Sequence, residues 1–220
     1  MIDFSSVKAI TIPDGNVRSI QIGGATVWSS VPDAPTVSIS ADDTTYSYSV
    51  TLNSSNDPVK YRVMEYAPDG TCVYGGDWKT SANNVSHSGT GLFSYTKSVT
   101  IEAYSYRDSL VSDTVSDSAT PSRTPYIDAP SVSVTVDVNG MATVTVSGDD
   151  ETTTVYWSIT AENDLGGTYD VDSGTGSIST HVDATTIDPD KSWIQVNCSA
   201  YAEAYGVTSD TVSDSGTWSV

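Results

Sequence analysis

The stretch Ser112-Asp-Thr-Val-Ser-Asp-Ser118 decides the organisation of the chain, because the same seven letters return as Ser209-Asp-Thr-Val-Ser-Asp-Ser215, 97 residues later. A second stretch, Asp33-Ala-Pro-Thr-Val-Ser-Ile39, returns in similar form as Asp128-Ala-Pro-Ser-Val-Ser-Val134 after 95 residues. Both ends of one module are therefore copied in the next. Self-similarity at a nearly fixed distance predicts two tandem modules of about 90 residues each.

The repeat and the prolines between its copies predict three segments. An amino-terminal segment over residues 1–30 precedes a first module over 33–122 and a second over 128–220. The first junction has Pro32 and Pro35, which stiffen the backbone and prevent a strand from continuing through it.

Apolar and polar residues alternate with a period of two in both modules, as in the run Tyr46–Leu52. Short alternating runs separated by turn residues predict two antiparallel β-sandwiches, immunoglobulin-like or fibronectin-III-like, and no convincing amphipathic helix. Tyr61 and its counterpart Trp157 stand amid apolar neighbours, so we expect them between two sheets. No cysteine pair brackets them, which excludes an antibody-type domain. Residues 162–180, rich in glycine and polar side chains, are predicted to form a long loop.

The amino-terminal segment is predicted to be a three-stranded β-meander, with strands at Val7–Ile12, Val17–Ile22 and Ala25–Trp28. Alternation places its large apolar residues on one face: Ile10, Ile12, Ile20, Ile22 and Trp28. About thirty residues cannot enclose a core, so another surface must cover this face. The segment either extends the first sandwich or is a docking arm that binds a partner or a second copy, and we favour the docking arm.

Charge is distributed unevenly along the chain, whose formal net charge is -19. Residues 1–30 sum to zero, residues 33–126 hold 11 acidic and 6 basic groups, and residues 127–220 hold 15 acidic groups and 1 basic group. The two modules thus carry -5 and -14. Such surfaces repel phosphate backbones and anionic lipids, so we expect neither nucleic acid nor a membrane as a partner.

The sequence has no apolar run of the roughly 18 residues that span a bilayer, and its start lacks the basic and apolar regions of a secretory signal. It therefore predicts synthesis and folding in the cytoplasm. Cys72 and Cys198 occupy non-equivalent positions in the two modules, since Cys198 aligns with Ile101. We expect two free thiols, buried or partly buried, rather than a disulfide.

Residues suited to catalysis are scarce. A Ser-His type of site needs a base beside its nucleophile, and the two histidines, His87 and His181, lie in polar stretches that predict surface loops. No glycine pattern of a phosphate or dinucleotide site is present, because Gly23-Gly24 precedes a predicted strand rather than a helix. We expect a protein that is not an enzyme and that carries no cofactor.

Four acidic clusters could offer oxygen ligands to Ca²⁺, which requires several carboxylates converging on one point. They are Asp42-Asp43, Asp149-Asp150-Glu151, Asp170-Val-Asp172 and Asp188-Pro-Asp190. None matches a 12-residue EF-hand loop. The alternatives are turn residues with solvated charge or a structural calcium ion in the second module.

Aromatic residues offer one candidate ligand site. Tyr66, Tyr74 and Trp78 flank the predicted hairpin turn Ala67–Thr71, and loops at the end of a sandwich commonly carry binding residues. These three side chains are candidates for contact with a glycan. The alternative is that they fill pleated strand surfaces, as tyrosines usually do in all-β proteins.

The stretch Val7–Trp28 resembles a short amino-terminal segment of structural proteins from tailed bacteriophages of gut and Firmicute hosts. That segment has the form I-x-I-P-x-G-x-V-x-x-I followed by Gly and an aromatic residue, and here it runs from Ile10 to Ile20 with Gly23 and Trp28 after it. The modules resemble the immunoglobulin-like or fibronectin-like repeats that such phages display on capsids and tails. The resemblance of the segment covers about a tenth of the chain.

The resemblance implies a non-enzymatic virion protein, assembled in the host cytoplasm. Its amino-terminal segment would attach to other capsid or tail proteins, as a capsid decoration, a fibre component or a minor tail protein. The protein would be a homo-oligomer or be present in many copies, with its modules projecting outward and contacting host-surface glycans.

Two other function classes remain open at this stage. A secreted or surface-anchored bacterial binding module would have a signal or an anchor in its full gene. An accessory domain of a glycoside hydrolase would have a catalytic domain upstream.

Overall fold

The computed structural model describes residues 19–22, 25–29, 31–52, 57–81, 84–90, 92–148 and 152–219. The chain divides into two compact units. The first comprises Met1–Glu65, Tyr74–Gly91 and Ser98–Thr120, and the second comprises Tyr66–Val73, Leu92–Lys97 and Pro121–Val220. Two short segments of the first repeat are thus grouped with the second unit.

A short hairpin precedes the sandwiches. Strands β1 (Ser19–Ile22) and β2 (Ala25–Ser29) pair antiparallel, with Ile20 opposite Trp28. The pairing shifts by one residue between Ile20 and Gln21, which is a β-bulge. These are two of the three predicted strands, and the remaining one, Val7–Ile12, lies outside the described residues.

The first sandwich is built from two antiparallel sheets. One sheet has the order β3-β4-β8, and the other is centred on β9 and β5. The strands of the first sheet are β3 (Thr36–Ala41), β4 (Thr45–Thr51) and β8 (Val85–Thr90). Those of the second sheet are β5 (Val59–Tyr66), β6 (Cys72–Gly75), β7 (Lys79–Ser81), β9 (Ser98–Arg107), β10 (Leu110–Val111) and β11 (Val115–Ala119).

The second sandwich has the same plan in a more regular form. A three-stranded sheet has the order β12-β13-β16, with β12 (Ser131–Val136), β13 (Met141–Ser147) and β16 (Ile178–Asp183). The facing sheet has the order β15-β14-β17, and the last strand position is shared by two pieces. Its strands are β14 (Thr154–Asn163), β15 (Thr168–Thr175), β17 (Trp193–Ala204), β18 (Val207–Thr208) and β19 (Val212–Ser219). Three strands facing four confirm the predicted all-β, fibronectin-III-like fold.

Alternating burial along the central strands forms each core. In β17, every second residue from Ile194 to Ala202 is at most 1% exposed, while the residues between them face outward. Full burial of a valine or isoleucine side chain contributes about 1.5–3 kcal/mol, so these inward rows hold the two sheets together. The first sandwich buries the equivalent row Val99, Ile101 and Ala103. The expected inward aromatics differ: Tyr61 is buried, whereas Trp157 is half-buried against the core.

The repeated heptapeptide begins where the last strand of each sandwich is interrupted. Ser112 follows β10, and its hydroxyl accepts a hydrogen bond from the Ser105 backbone N–H at 2.9 Å. Ser209 follows β18, and its hydroxyl accepts from the Ala202 backbone N–H at the same distance. Each serine also donates its own backbone N–H to the carbonyl of the same partner. The serine therefore replaces the missing rung of the ladder at the interruption.

The second aspartate of the heptapeptide ties the two sheets of each sandwich together. Asp117 accepts a hydrogen bond from the Ile39 backbone N–H at 3.0 Å, and Asp214 accepts one from the Val134 backbone N–H at 2.8 Å. Ile39 and Val134 lie on the edge strands β3 and β12, whose outward N–H groups would otherwise be open to pairing with another chain. The letter-for-letter repeat thus encodes the same closure twice.

One sequence-based prediction was wrong. The stretch predicted as a long loop, 162–180, instead contains all of β15 and the start of β16. Only its tight turns are loop-like, with Gly166 at φ +77° and Gly176 at φ +85°. The polar strand residues face solvent, while Tyr169 and Val171 pack against the core, so the alternation was masked by glycine at the turns.

The environments predicted for the histidines and for one cysteine also need correction. Both histidines lie on strands rather than in loops, His87 on β8 and His181 on β16, and both are exposed. The two cysteines are free, as predicted, but Cys72 is exposed and only Cys198 is buried. Burial, and then the nearby Asp214 charge, raise the pKa of the Cys198 thiol, so it packs as a neutral apolar residue.

The described residues contain one short helix, α1 (Ala184–Ile187). Asp183 caps it by accepting a hydrogen bond from the Thr185 backbone N–H at 3.0 Å. No helix in the described part of the chain has the length and apolarity to cross a membrane.

Candidate functional site

The predicted docking residues lie only partly within the described chain. Ile20 and Ile22 are on β1, and Trp28 is on β2. Ile10 and Ile12 lie outside the described residues. The docking role of this face therefore stays a prediction.

The three predicted glycan-contact residues lie on or beside neighbouring strands of the first sandwich. Tyr66 ends β5, Tyr74 is on β6, and Trp78 immediately precedes β7. Tyr74 is 44% exposed and Trp78 is 38% exposed. The Arg62 guanidinium lies 4.8 Å from the centre of the Trp78 ring, and Tyr104 packs edge-on at 5.0 Å. The Trp78 ring is therefore already engaged by its own sheet, and its glycan contact remains a prediction.

The outward face of the first sandwich is dominated by charge pairing. Arg62 on β5 and Glu102 on β9 form an ion pair with an N–O distance of 2.8 Å. Beside it, the Lys60 ammonium lies 5.8 Å from the centre of the Tyr106 ring. Arg62 and Glu102 are thus paired with each other, and Lys60 lies over an aromatic ring. These charged groups already have partners within the sheet, so they are poor candidates for binding a ligand.

The equivalent face of the second sandwich is aromatic and uncharged at the same positions. Tyr156 on β14 lies directly opposite Tyr201 on β17, and their rings stack with centroids 5.2 Å apart and planes 14° apart. Both rings are half-buried. Neither phenolic hydroxyl has a hydrogen-bond partner among the residues that the structure describes.

A row of serines crosses four strands beside the tyrosine pair. Ser173, Ser158, Ser199 and Ser213 are successive partners on β15, β14, β17 and β19. The Ser158 and Ser199 hydroxyl oxygens are 3.0 Å apart, within hydrogen-bond distance. Each hydroxyl is both a donor and an acceptor, so the row offers donors and acceptors in turn to a polar ligand.

Three open grooves run along this face and share residues. The middle groove, about 380 Å³, is lined by both tyrosines, Ser158, Ser173, Gly174 and Ser199 among others. Tyr156 also lines a groove of about 390 Å³ toward Thr208, and Ser199 also lines one of about 320 Å³ toward Ser215. The middle groove thus shares one lining residue with each of the others, and we call the three together the outward trough.

Several of the aspartates considered as calcium ligands have other hydrogen-bond partners, as Asp42 and Asp188 do. Asp188 accepts hydrogen bonds from the Tyr169 hydroxyl at 2.7 Å and the Asn163 amide at 3.0 Å. These two donors hold the pKa of the Asp188 carboxyl below its ordinary value and, in return, Asp188 raises the pKa of Tyr169. No cluster of three metal-binding side chains occurs among the described residues, to which 149–151 do not belong.

Sequence reasoning missed Tyr156, Tyr201 and the serine row. A signal for Tyr201 was present, because it is the counterpart of Tyr104 in the repeat. The pairing of Tyr201 with Tyr156 depends on the register of β14 against β17, which sequence alone does not give.

No protein-family model and no curated protein sequence matches this chain. Similar solved structures include a two-domain fibronectin type III segment of chicken tenascin, 14% identical with a TM-score of 0.36, covering 83% of this chain and 98% of that one. The chicken interferon gamma receptor alpha chain is 13% identical with a TM-score of 0.33, covering 87% and 99%. The FN1–FN3 domains of chicken CNTN1 are 10% identical with a TM-score of 0.29, covering 87% and 70%. The fold assignment rests on the strand order described above.

Proposed function

We propose that this chain is a non-enzymatic structural component of a tailed-bacteriophage particle. Its amino-terminal segment docks on capsid or tail proteins, and its two acidic sandwiches project outward and meet host-surface glycans. The protein acts at the virion, in many copies or as a homo-oligomer. The observation that carries the proposal is the uneven distribution of charge along the chain: a neutral segment with a predicted apolar face precedes two acidic modules.

The apolar surface proposed for attachment lies in the amino-terminal segment. Residues 1–30 carry no net charge and alternate large apolar residues, whereas the two modules carry all of the excess negative charge. A neutral segment with an apolar face is stabilised by contact with another protein, because leaving that face in water is unfavourable. The resemblance of Val7–Trp28 to phage structural proteins supports the same assignment.

The two modules are suited to projection. Asp117 and Asp214 tie down the edge strands of the sandwiches, which suppresses pairing with neighbouring copies. Acidic surfaces on neighbouring copies also repel one another and keep densely displayed modules apart. Tandem sandwiches of this kind are binding or structural modules, and their function is set by what their surfaces present.

Co-sedimentation with tailed-phage particles that lack their own copy of the protein tests the proposal. The full chain should pellet with the particles, and a chain lacking residues 1–30 should stay in the supernatant. Ile20→Asp combined with Ile22→Asp should abolish pelleting, because it places two charges on the predicted apolar face. Ser19→Asp combined with Gln21→Asp adds the same charge at alternate positions and should retain it.

Two outcomes would overturn the proposal. If the full chain stays in the supernatant while it is folded by circular dichroism, attachment to the particle is wrong. If the chain lacking residues 1–30 pellets equally well, the particle is bound by the sandwiches and the docking arm is wrong.

A further inference from the structure

We propose that the outward trough of the second sandwich binds a neutral or amine-bearing oligosaccharide, with Tyr156 and Tyr201 as its aromatic platform. This trough is the surface lined by the two tyrosines and by the serine row from Ser173 to Ser213. The inference rests on the proposed function in one respect, that the outward modules meet glycans. It assigns that contact to residues other than Tyr66, Tyr74 and Trp78.

The aromatic pair supplies the apolar part of sugar recognition. A pyranose ring presents a face of C–H groups, which packs on aromatic rings, and hydroxyls at its edge. Tyr156 and Tyr201 line the middle groove with their rings near-parallel, and their hydroxyls have no partners within the described chain. A tyrosine at such a position offers both an apolar ring and a polar tip.

The serine row supplies the polar part. Ser158, Ser173 and Ser199 line the same groove as the tyrosines. Their hydroxyls are short and lie on strands that are fixed by the sandwich core, so little conformational entropy is lost when they bind. A ligand rich in hydroxyls matches a surface whose own groups are both donors and acceptors.

The shape of the trough favours a chain rather than a single small molecule. It runs along β17 from the groove at Glu203 to the groove at Asn197. Six residues of a β-strand span about 20 Å. The trough is open along its length, so an oligosaccharide of several rings can lie along it and continue beyond both ends.

Charge decides which oligosaccharides fit. The second module carries 15 acidic groups and 1 basic group, and Glu203 and Asp214 line the two outer grooves. Sialylated, sulfated or phosphorylated chains would bring negative charge to this acidic surface and be repelled. Uncharged chains avoid the repulsion, and chains with free amines are attracted.

The first sandwich provides a built-in contrast. At the positions of Tyr156, Ser158 and Ser199 it has Lys60, Arg62 and Glu102, the last two joined as an ion pair. Its Tyr104, the counterpart of Tyr201, packs against Trp78 instead of a second tyrosine. The inference therefore assigns binding to one module only.

Binding of the full chain to immobilised oligosaccharides tests the inference. The probes are cello-, manno- and chito-oligosaccharides, partly deacetylated chito-oligosaccharides, and sialylated and sulfated chains. We expect binding to at least one neutral or amine-bearing probe and to neither acidic one. Tyr201→Ala should weaken that binding about tenfold, which corresponds to a loss of about 1.4 kcal/mol. Tyr104→Ala, the matched change in the first sandwich, should leave it unchanged.

A second variant separates loss of binding from loss of folding. Ser173→Arg fills the groove from an exposed strand position without removing a buried group, and Thr168→Arg makes the same change farther along β15. Ser173→Arg should abolish binding, while Thr168→Arg should retain it, with equal melting temperatures. Failure to bind every neutral and amine-bearing probe, binding that survives Ser173→Arg, or binding of the acidic probes alone would overturn the inference. None of these results would affect pelleting with phage particles, so the attachment proposal is judged separately.

Discussion

The two sandwiches are alike in the hydrogen bonds that the heptapeptide makes and different in the side chains that their central strands carry on the outward face. In both, a serine bridges the broken last strand and an aspartate binds an edge-strand N–H. On the outward faces, however, the ion pair of Arg62 with Glu102 stands where the second sandwich has two serines. The comparison teaches that the heptapeptide residues whose hydrogen bonds close each sandwich are constrained. The side chains on the outward face can differ without affecting those bonds.

The period of a β-strand explains how these two properties separate. Alternate residues of β17 are buried, and those between them face outward, so neighbouring letters serve different purposes. Ala200 is buried beside the outward Tyr201, and Ala103 is buried beside Tyr104. A change at an outward position leaves the inward packing intact. This permits one scaffold to carry two surfaces.

The largest expected effect on the free energy of unfolding distinguishes the cores of the two sandwiches. Ile101 and Cys198 occupy equivalent positions and are both at most 1% exposed. Ile101→Ala should lower the free energy of unfolding by about 2–5 kcal/mol, because it leaves a cavity among close-packed residues. Cys198→Ala removes one atom and should cost about 1 kcal/mol. Scanning calorimetry of the full chain measures both, and equal losses would contradict this assignment of the two cores.

The next largest effect tests whether Asp117 and Asp214 stabilise their two sandwiches in the same way. Asp117→Ala and Asp214→Ala each leave an edge-strand N–H without its carboxylate, and each should cost about 1–2 kcal/mol. The matched controls are Asp113→Ala and Asp210→Ala, at the first aspartate of the heptapeptide, where the side chain is exposed. Urea denaturation should show near-zero change for these controls. Equal losses at both aspartates would show that charge, not position, is responsible.

A smaller effect depends on pH and belongs to the second sandwich. Asp188 has a folded-state pKa below its ordinary value of 3.8, first because of the Tyr169 hydroxyl and then because of the Asn163 amide. Its stabilisation is therefore complete well above pH 3.8 and is lost as the pH falls through 3.8 toward the folded-state pKa. The advantage of the native protein over Asp188→Asn should be full at neutral pH and shrink below about pH 4.

Urea midpoints at neutral and acidic pH measure that advantage. Asp190→Asn removes the same charge two residues away and serves as the control for general relief of acidic repulsion. An advantage over Asp188→Asn that grows as the pH falls would contradict the assigned hydrogen bonds.

The smallest effect concerns the outward face of the first sandwich. Glu102→Gln breaks the ion pair with Arg62, whose side chain is 34% exposed while that of Glu102 is 27% exposed. Because water and salt screen such a pair, the loss should be under about 1 kcal/mol and should diminish at high ionic strength. Ser199→Ala, at the equivalent position, should show no salt dependence. A loss of several kcal/mol would mean that the outward faces are not free to change.

Much of the fold could be predicted because the repeat and the alternation of apolar and polar residues can both be read from the sequence without knowing which strands pair. The match of Tyr61 to Trp157 identified the same inward-facing strand position in both modules. The strand β15 was missed because glycines near its ends indicate a loop more strongly than its two large apolar residues, Tyr169 and Val171, indicate a strand. Local turn signals there outweighed a weak period of two.

The candidate site was less predictable, because it depends on residues that are distant in the sequence. Tyr156 and Tyr201 are 45 positions apart, and only the register of their strands brings the rings together. The serines on either side are common letters in this chain and carry no signal singly. Trp78 was singled out because it is large and flanks a turn, yet Arg62 and Tyr104 already contact it.

The central claim of the comparison is that one carboxylate closes each sandwich by the same bond. Hydrogen exchange of the Ile39 and Val134 backbone amides tests it most directly, with the amide of the 93% exposed turn residue Val138 as the fast reference. We expect both edge-strand amides to exchange slowly, and Asp117→Ala and Asp214→Ala each to release only its own partner. If Ile39 and Val134 exchange as fast as Val138 in the native protein, the repeated heptapeptide does not close the sandwiches.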